Sequence, residues 1–208
     1  MWINVKDDYG ATGDGVTDDT AAIQAALDAV VTPIFELGYN HNVIYFPPGT
    51  YRITDTLVLT HGDGVRLVGV GNVGGSPAYV KDYGKRLTGA IIFWDGPPGG
   101  TLLTIKGSNT GSIENITFVG ATPQKYQFSI SNTAGDPGAQ FLRFKSSTFA
   151  NATEIYINMT NFFGVIGVWN GYAGEMDTNG SENRSTTTAT SRMTAAIVHA
   201  RPWWPVSR

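Results

Sequence analysis

Three acidic residues lie beside apolar runs of the chain: Asp95, Glu114 and Glu154. Two carboxyl groups held about 5 to 9.5 Å apart suit glycoside hydrolysis, one as acid and the other as base or nucleophile. The basic residues Arg66, Arg143 and Lys145 occupy comparable runs. A base placed there suits removal of the proton α to a uronate carboxylate, the first step of a lyase. Charged residues at strand turns more often only solvate the surface, and none of these six sits in a catalytic motif. No catalytic residue is assigned. Trp94 and Trp169 offer flat faces for sugar stacking, and equally the bulk that a core buries.

Other chemistries are narrowed by composition. The 208 residues contain no cysteine, which excludes a disulfide scaffold, a thiolate metal site and a cysteine nucleophile. His41, His61 and His199 are scattered and form no metal-ligand spacing. Asp14-Gly15-Val16-Thr17-Asp18 lacks the alternating acids and terminal Glu of a calcium loop. Gly69-Val70-Gly71-Asn72-Val73-Gly74 matches a dinucleotide-binding pattern, but Gly75-Ser76-Pro77 follows where a helix should open. It reads as a glycine-rich turn leading into a surface excursion to about Arg86. Sequons at Asn115, Asn151, Asn158 and Asn183 matter only in a glycosylating pathway. A net charge of −3 gives no reason to expect nucleic acid or an anionic membrane as partner. No apolar run approaches the roughly 18 residues of a membrane span, and no signal peptide is visible.

The elements that must position these residues are short. One amphipathic helix is predicted from Asp19 to Val30, with Ile23, Ala26, Leu27 and Val30 on one face. Asp18 or Asp19 is expected to cap its first turn, and Thr32-Pro33 to end it. From Val43 the period changes to that of strands. Runs open at Val43, Val65, Ala90 and Ser112, at intervals of 22, 25 and 22 residues. Such intervals, with no helices between, suggest a solenoid in which each coil pairs with those above and below. A β-sandwich also has many short strands at regular spacing, and its strands would turn back as hairpins. After about Gly174 the pattern stops. Asn183 to Arg208 holds four arginines, no lysine and no acid. That reads as a disordered tail, or as a chain cut short or read out of frame.

Two segments carry a family resemblance. NVKDDYGATGDGVTDDTAAIQAALDA, from Asn4 to Ala29, is followed by VIYFPPGTYRI, from Val43 to Ile53. Together they resemble the N-terminal signature of the pectate-lyase-like superfamily of right-handed parallel β-helix proteins. Members sharing it include polygalacturonase-related hydrolases, exo-β-1,3-glucanases and phage tailspikes. The likeness is strong over residues 3 to 60 and looser to about 120. The aspartate pair of polygalacturonases sits far along the solenoid, so it does not transfer to Asp18-Asp19.

The expected fold class is all-β: a right-handed parallel β-helix with an N-terminal capping α-helix and five to seven coils, truncated at its C-terminal end. Residues 1–42 would form the lead-in loop and capping helix, 43–174 the coils and 175–208 an irregular tail. Pro47-Pro48-Gly49 would turn a corner. Ile44, Phe46, Tyr51, Ile53, Leu57 and Leu59 would point inward. The resemblance implies a carbohydrate-active protein, a hydrolase or lyase acting on an extracellular polysaccharide, with catalytic coils late in or beyond this chain. The alternative it implies is a glycan-binding or structural helix of a tailspike or adhesin, a homotrimer in the tailspike case. It places the protein outside the cell, at a cell surface or on a virion. No cofactor is expected, calcium entering only for a lyase.

Overall fold

The computed structural model describes residues 2–30, 42–60, 64–71, 89–106, 111–131, 143–160 and 170–174, with side-chain detail up to residue 120. It is a parallel β-helix. Below the first coil lie β1 (Trp2–Asn4), β2 (Asp14–Asp18) and the helix α1 (Thr20–Asp28). The first coil is β3 (Val43–Phe46), β4 (Gly49–Ile53) and β5 (Leu57–Thr60). The second is β6 (Arg66–Gly69), β7 (Ala90–Trp94) and β8 (Thr101–Lys106). Then come β9 (Ser112–Glu114), β10 (Ile116–Ser131), β11 (Arg143–Thr160) and β12 (Asn170–Gly174).

Every strand pairing among the described residues is parallel, which the sandwich reading does not allow. The first sheet stacks β1, β3, β6, β9, the start of β11, and β12. The second stacks β2, β4, β7 and the first part of β10. The third stacks β5, β8 and the second part of β10. The strand β11 continues upward from β10 on both of these sheets.

Register explains the core. Ile3, Ile44, Leu67 and Ile113 are successive partners in the first sheet, and all four are buried. Tyr51, Ile92 and Phe118 form the matching column of the second. In the third, Leu57 meets Leu103 and Leu59 meets Ile105. Like stacks on like, so each coil covers the apolar end of the one below. All six residues expected to point inward are buried.

Two readings of the repeat need correction. Ala90 does not open a strand of the sheet that holds Val43 and Ser112. It pairs with Gly49 below and Ile116 above, in the second sheet. The long segment between β6 and β7 breaks the apparent interval. Likewise the run from Ile113 to Phe118 is two strands. Asn115 turns the corner between them at φ 56°, a left-handed conformation that asparagine tolerates better than most residues.

The helix closes the lower end, burying Ile23, Ala26 and Leu27. It also replaces a strand electrostatically. Gln24 Nε2 donates to the Val58 carbonyl at 2.9 Å, and the Val58 N–H donates to Gln24 Oε1 at 2.8 Å. The Thr54 N–H donates to Thr20 Oγ1 at 2.9 Å. One helix face thus serves backbone groups on the lower side of the third sheet, groups that an open edge would leave unpaired. The expected stop at Thr32-Pro33 and the tail from 175 to 208 lie outside the described residues, as does nearly all of the surface excursion expected to about Arg86.

The expected cap is divided between the two aspartates. Asp19 makes no side-chain bond to the helix. Its carboxylate turns away and accepts the N–H groups of Thr12 at 2.6 Å and Gly13 at 3.0 Å. Those amides lie in a loop bent at Gly10 and Gly13, with φ of 76° and 65°, and have a stronger claim on a buried charge. Asp18 serves the first turn instead, accepting from the N–H of Thr20 at 3.1 Å and from its hydroxyl.

Candidate functional site

The outer side of the first sheet gathers the chemistry. Strand alternation sends Leu67 and Ile113 inward, leaving Arg66, Ser112 and Glu114 on the other side. Arg66 pairs in register with Ser112, one coil apart. Arg66 Nη2 and Nε donate to Glu114 Oε1 at 3.0 and 3.2 Å, and the Ser112 hydroxyl donates to the same oxygen at 2.7 Å. The Glu114 side chain is only 11% exposed, whereas that of Arg66 is 46% exposed. One carboxylate oxygen thus anchors a guanidinium that still reaches solvent. In the next rung residue 143 stacks on Ser112 and residue 145 on Glu114, so the arginine and lysine singled out by type share this register.

A second ion pair lies elsewhere. Arg52 Nε donates to Asp95 Oδ2 at 2.7 Å at the end of the second sheet. Asp95 and Glu114 are therefore not brought together; each is engaged by an arginine, and Asp95 follows a second-sheet strand while Glu114 belongs to the first. Two carboxyls facing one sugar bond are not assembled from this pair. Glu154 falls within β11, where only the backbone is described.

The remaining candidates separate cleanly. Trp94 is buried, with Gly96 and Gly100 lying against its ring so closely that a Cβ at either would clash. Its Nε1 has no hydrogen-bond partner among the described residues. It is core, not a sugar platform. Trp169, His41, His61 and His199 lie outside the described residues. In the Asp14 to Asp18 segment both carboxylates are engaged: Asp14 accepts from the N–H groups of Val16 and Thr17 and from the Thr17 hydroxyl, and Asp18 from Thr20 and from the Thr54 hydroxyl. Among the described residues no group of three or more His, Asp or Glu is placed to hold a metal ion, so no calcium site is derived. None of their helices is long and apolar enough to cross a membrane.

What sequence reasoning missed is the pairing of Arg66 with Glu114. The available signal is the polar-apolar-polar triad that recurs as Arg66-Leu67-Val68 in weakened form, Ser112-Ile113-Glu114 and Arg143-Phe144-Lys145. Placing Ala90 in the same series hid it.

The family described as rhamnogalacturonase A/epimerase, pectate lyase-like, matches residues 2–162. Among curated proteins, the chain is 31% identical over 150 residues to mannuronan C5-epimerase AlgE6 of Azotobacter vinelandii, covering 67% of this chain and 15% of that protein. It is 35% identical over 136 residues to alginate lyase 7 of the same organism, covering 60% and 15%. Among solved structures, ORF18 of Geobacillus virus E2 superposes with a TM-score of 0.48 at 19% identity, covering 72% of this chain and 37% of that one. The chain therefore spans about a seventh of the length of these curated relatives.

Proposed function

This chain belongs to the rhamnogalacturonase A/epimerase, pectate lyase-like family, and from that premise we propose that its coils grip an acidic, uronate-containing polysaccharide for chemistry at the carbon α to the carboxylate. The observation that carries this reading is the solvent-reaching Arg66 guanidinium on the outer side of the first sheet, held by Glu114. Arginine matches a carboxylate bidentately and holds its charge at any working pH. The names of the two relatives, an epimerase and a lyase, point to the same class of substrate.

Both reactions begin alike. A base takes the C5 proton, and the electron pair left behind spreads into the adjacent carboxylate. Return of a proton to the opposite face gives the epimer. Expulsion of the sugar linked at C4, with a C4–C5 double bond formed, gives the lyase product. A hydrolase would need two free carboxyls instead; of the three candidates, Asp95 and Glu114, whose side chains are described, are each engaged by arginine. The coils that carry the base lie late in this chain or beyond it, and the protein works outside the cell, at a cell surface or on a virion.

Incubation of the 208-residue chain with mannuronan in heavy water tests this. Retention by the polymer is expected, without deuterium at C5, unsaturated uronates or new reducing ends. New reducing ends without C5 exchange would mean a hydrolase and overturn the proton chemistry. Deuterium at C5 would place the base within these 208 residues. Failure to retain the chain would overturn the reading as a whole.

A further inference from the structure

Two aromatic rings stand on the same outer side, below Arg66. Trp2 is 68% exposed, although its strand neighbour Ile3 is fully committed to the core. The Trp2 ring lies 6.0 Å from that of Tyr45, tilted by 56°. In register, Trp2 sits beside Val43 and Asn4 beside Tyr45, while Val43 pairs upward with Arg66. The Tyr45 and Arg66 strands are neighbours, about 4.8 Å apart. Two rings tilted to each other thus lie below a cation that stands two rungs above Trp2 and, diagonally, one rung above Tyr45, whose own upper partner is Val68.

We propose that Trp2, Tyr45 and Arg66 form a subsite for consecutive units of a uronate polymer running along the helix axis. One pyranose ring packs against the tilted Trp2–Tyr45 pair, and the next unit's carboxylate meets the guanidinium. This deepens the acidic-polysaccharide reading and rests on it. Charge complementarity picks the occupant and its direction. Arg66 has donor capacity left after binding one oxygen of Glu114 through two of its nitrogens. At the lower end Asp8 Oδ2 accepts from the Asn4 N–H at 2.7 Å, and Asp7 Oδ2 from Asn4 Nδ2 at 2.5 Å. Those two carboxylates repel a sugar carboxylate there, so the unit on the rings turns its own carboxylate away from Asp7 and Asp8 while the next unit's carboxylate meets Arg66. A neutral glycan would use the rings and offer Arg66 only hydroxyl acceptors, which a guanidinium holds more weakly than a carboxylate.

Calorimetric titration of the full chain with mannuronan oligosaccharides tests the subsite. Trp2→Ala and Tyr45→Ala should each weaken binding about threefold to tenfold, the range an aromatic contact supplies, while Tyr45→Phe should bind like the unaltered chain. Arg66→Met combined with Glu114→Gln, which leaves no orphaned charge, should weaken it about tenfold. Saturation transfer by NMR from aromatic protons to the sugar should fall in Trp2→Ala, whose exposed position keeps the native circular dichroism spectrum. Unchanged binding in the two alanine variants would overturn the subsite and leave the broader reading standing. No binding of mannuronan by the unaltered chain would overturn both. Equal binding of neutral manno-oligosaccharides would remove Arg66 from the subsite.

Discussion

Asp18 and Asp19 are adjacent carboxylates held by opposite forces. Loss of water pushes Asp19 up, the Asp14 charge adds to the rise, and the amides of Thr12 and Gly13 only partly offset it. Burial also pushes Asp18 up, but the hydroxyls of Thr20 and Thr54, the Thr20 amide and the Arg52 charge together hold it below the ordinary aspartate value. Linkage gives these shifts opposite signs. Asp18 contributes stability above its unfolded value, and that contribution is lost as pH falls through the lower folded value. The Asp19 contribution is complete below the unfolded value and is lost as pH rises through the higher folded value. Thermal midpoints measured down through the carboxylate range should therefore show the native chain losing ground to Asp18→Asn and gaining on Asp19→Asn. Slopes of the same sign would contradict this account. The pair was legible as a helix start, because two acids precede an apolar stripe. Their division of labour was not, since the amides that claim Asp19 belong to a loop whose bend depends on Gly10 and Gly13.

At the scale of elements, α1 performs two tasks, one visible in the sequence and one hidden. Ile23, Ala26 and Leu27 recur at helical spacing, so the buried face could be read directly. Gln24 lies between them and looks like an ordinary solvated residue, yet its amide completes the lower side of β5 through Val58. The match depends on an amide, which donates and accepts at once. Gln24→Ala should lower stability to urea by about 1 to 3 kcal/mol, the penalty for stranding a partly buried backbone group. Gln24→Glu should be no better, because a carboxylate cannot donate to the Val58 carbonyl. An unpaired edge should also promote association between copies, visible by light scattering of the alanine variant. Full stability in either variant would show that the helix closes the solenoid by apolar cover alone.

For the whole molecule, stacking converts distance in sequence into adjacency on a face. Arg66 and Glu114 lie far apart in the chain and one rung apart in the first sheet. The solenoid itself was readable from closely spaced β runs and from the segments at Asn4 to Ala29 and Val43 to Ile53. Which residues share a column was not, because coils of unequal length shift the register: Gly49 stacks under Ala90, although far more chain separates β6 from β7 than β3 from β4. The functional face emerges only once that register is known. It carries an exposed indole, a guanidinium with donors to spare and, by register, residues 143 and 145 in the rung above. Recognition of sugar carboxylates by this face is the claim on which the functional account depends. The direct measurement is the affinity of the unaltered chain for mannuronan and for the same polymer with its carboxylates reduced to alcohols. The account predicts binding of mannuronan that weakens as salt is added and is at least about tenfold tighter than for the reduced polymer. Equal affinity for the two, insensitive to salt, would contradict it.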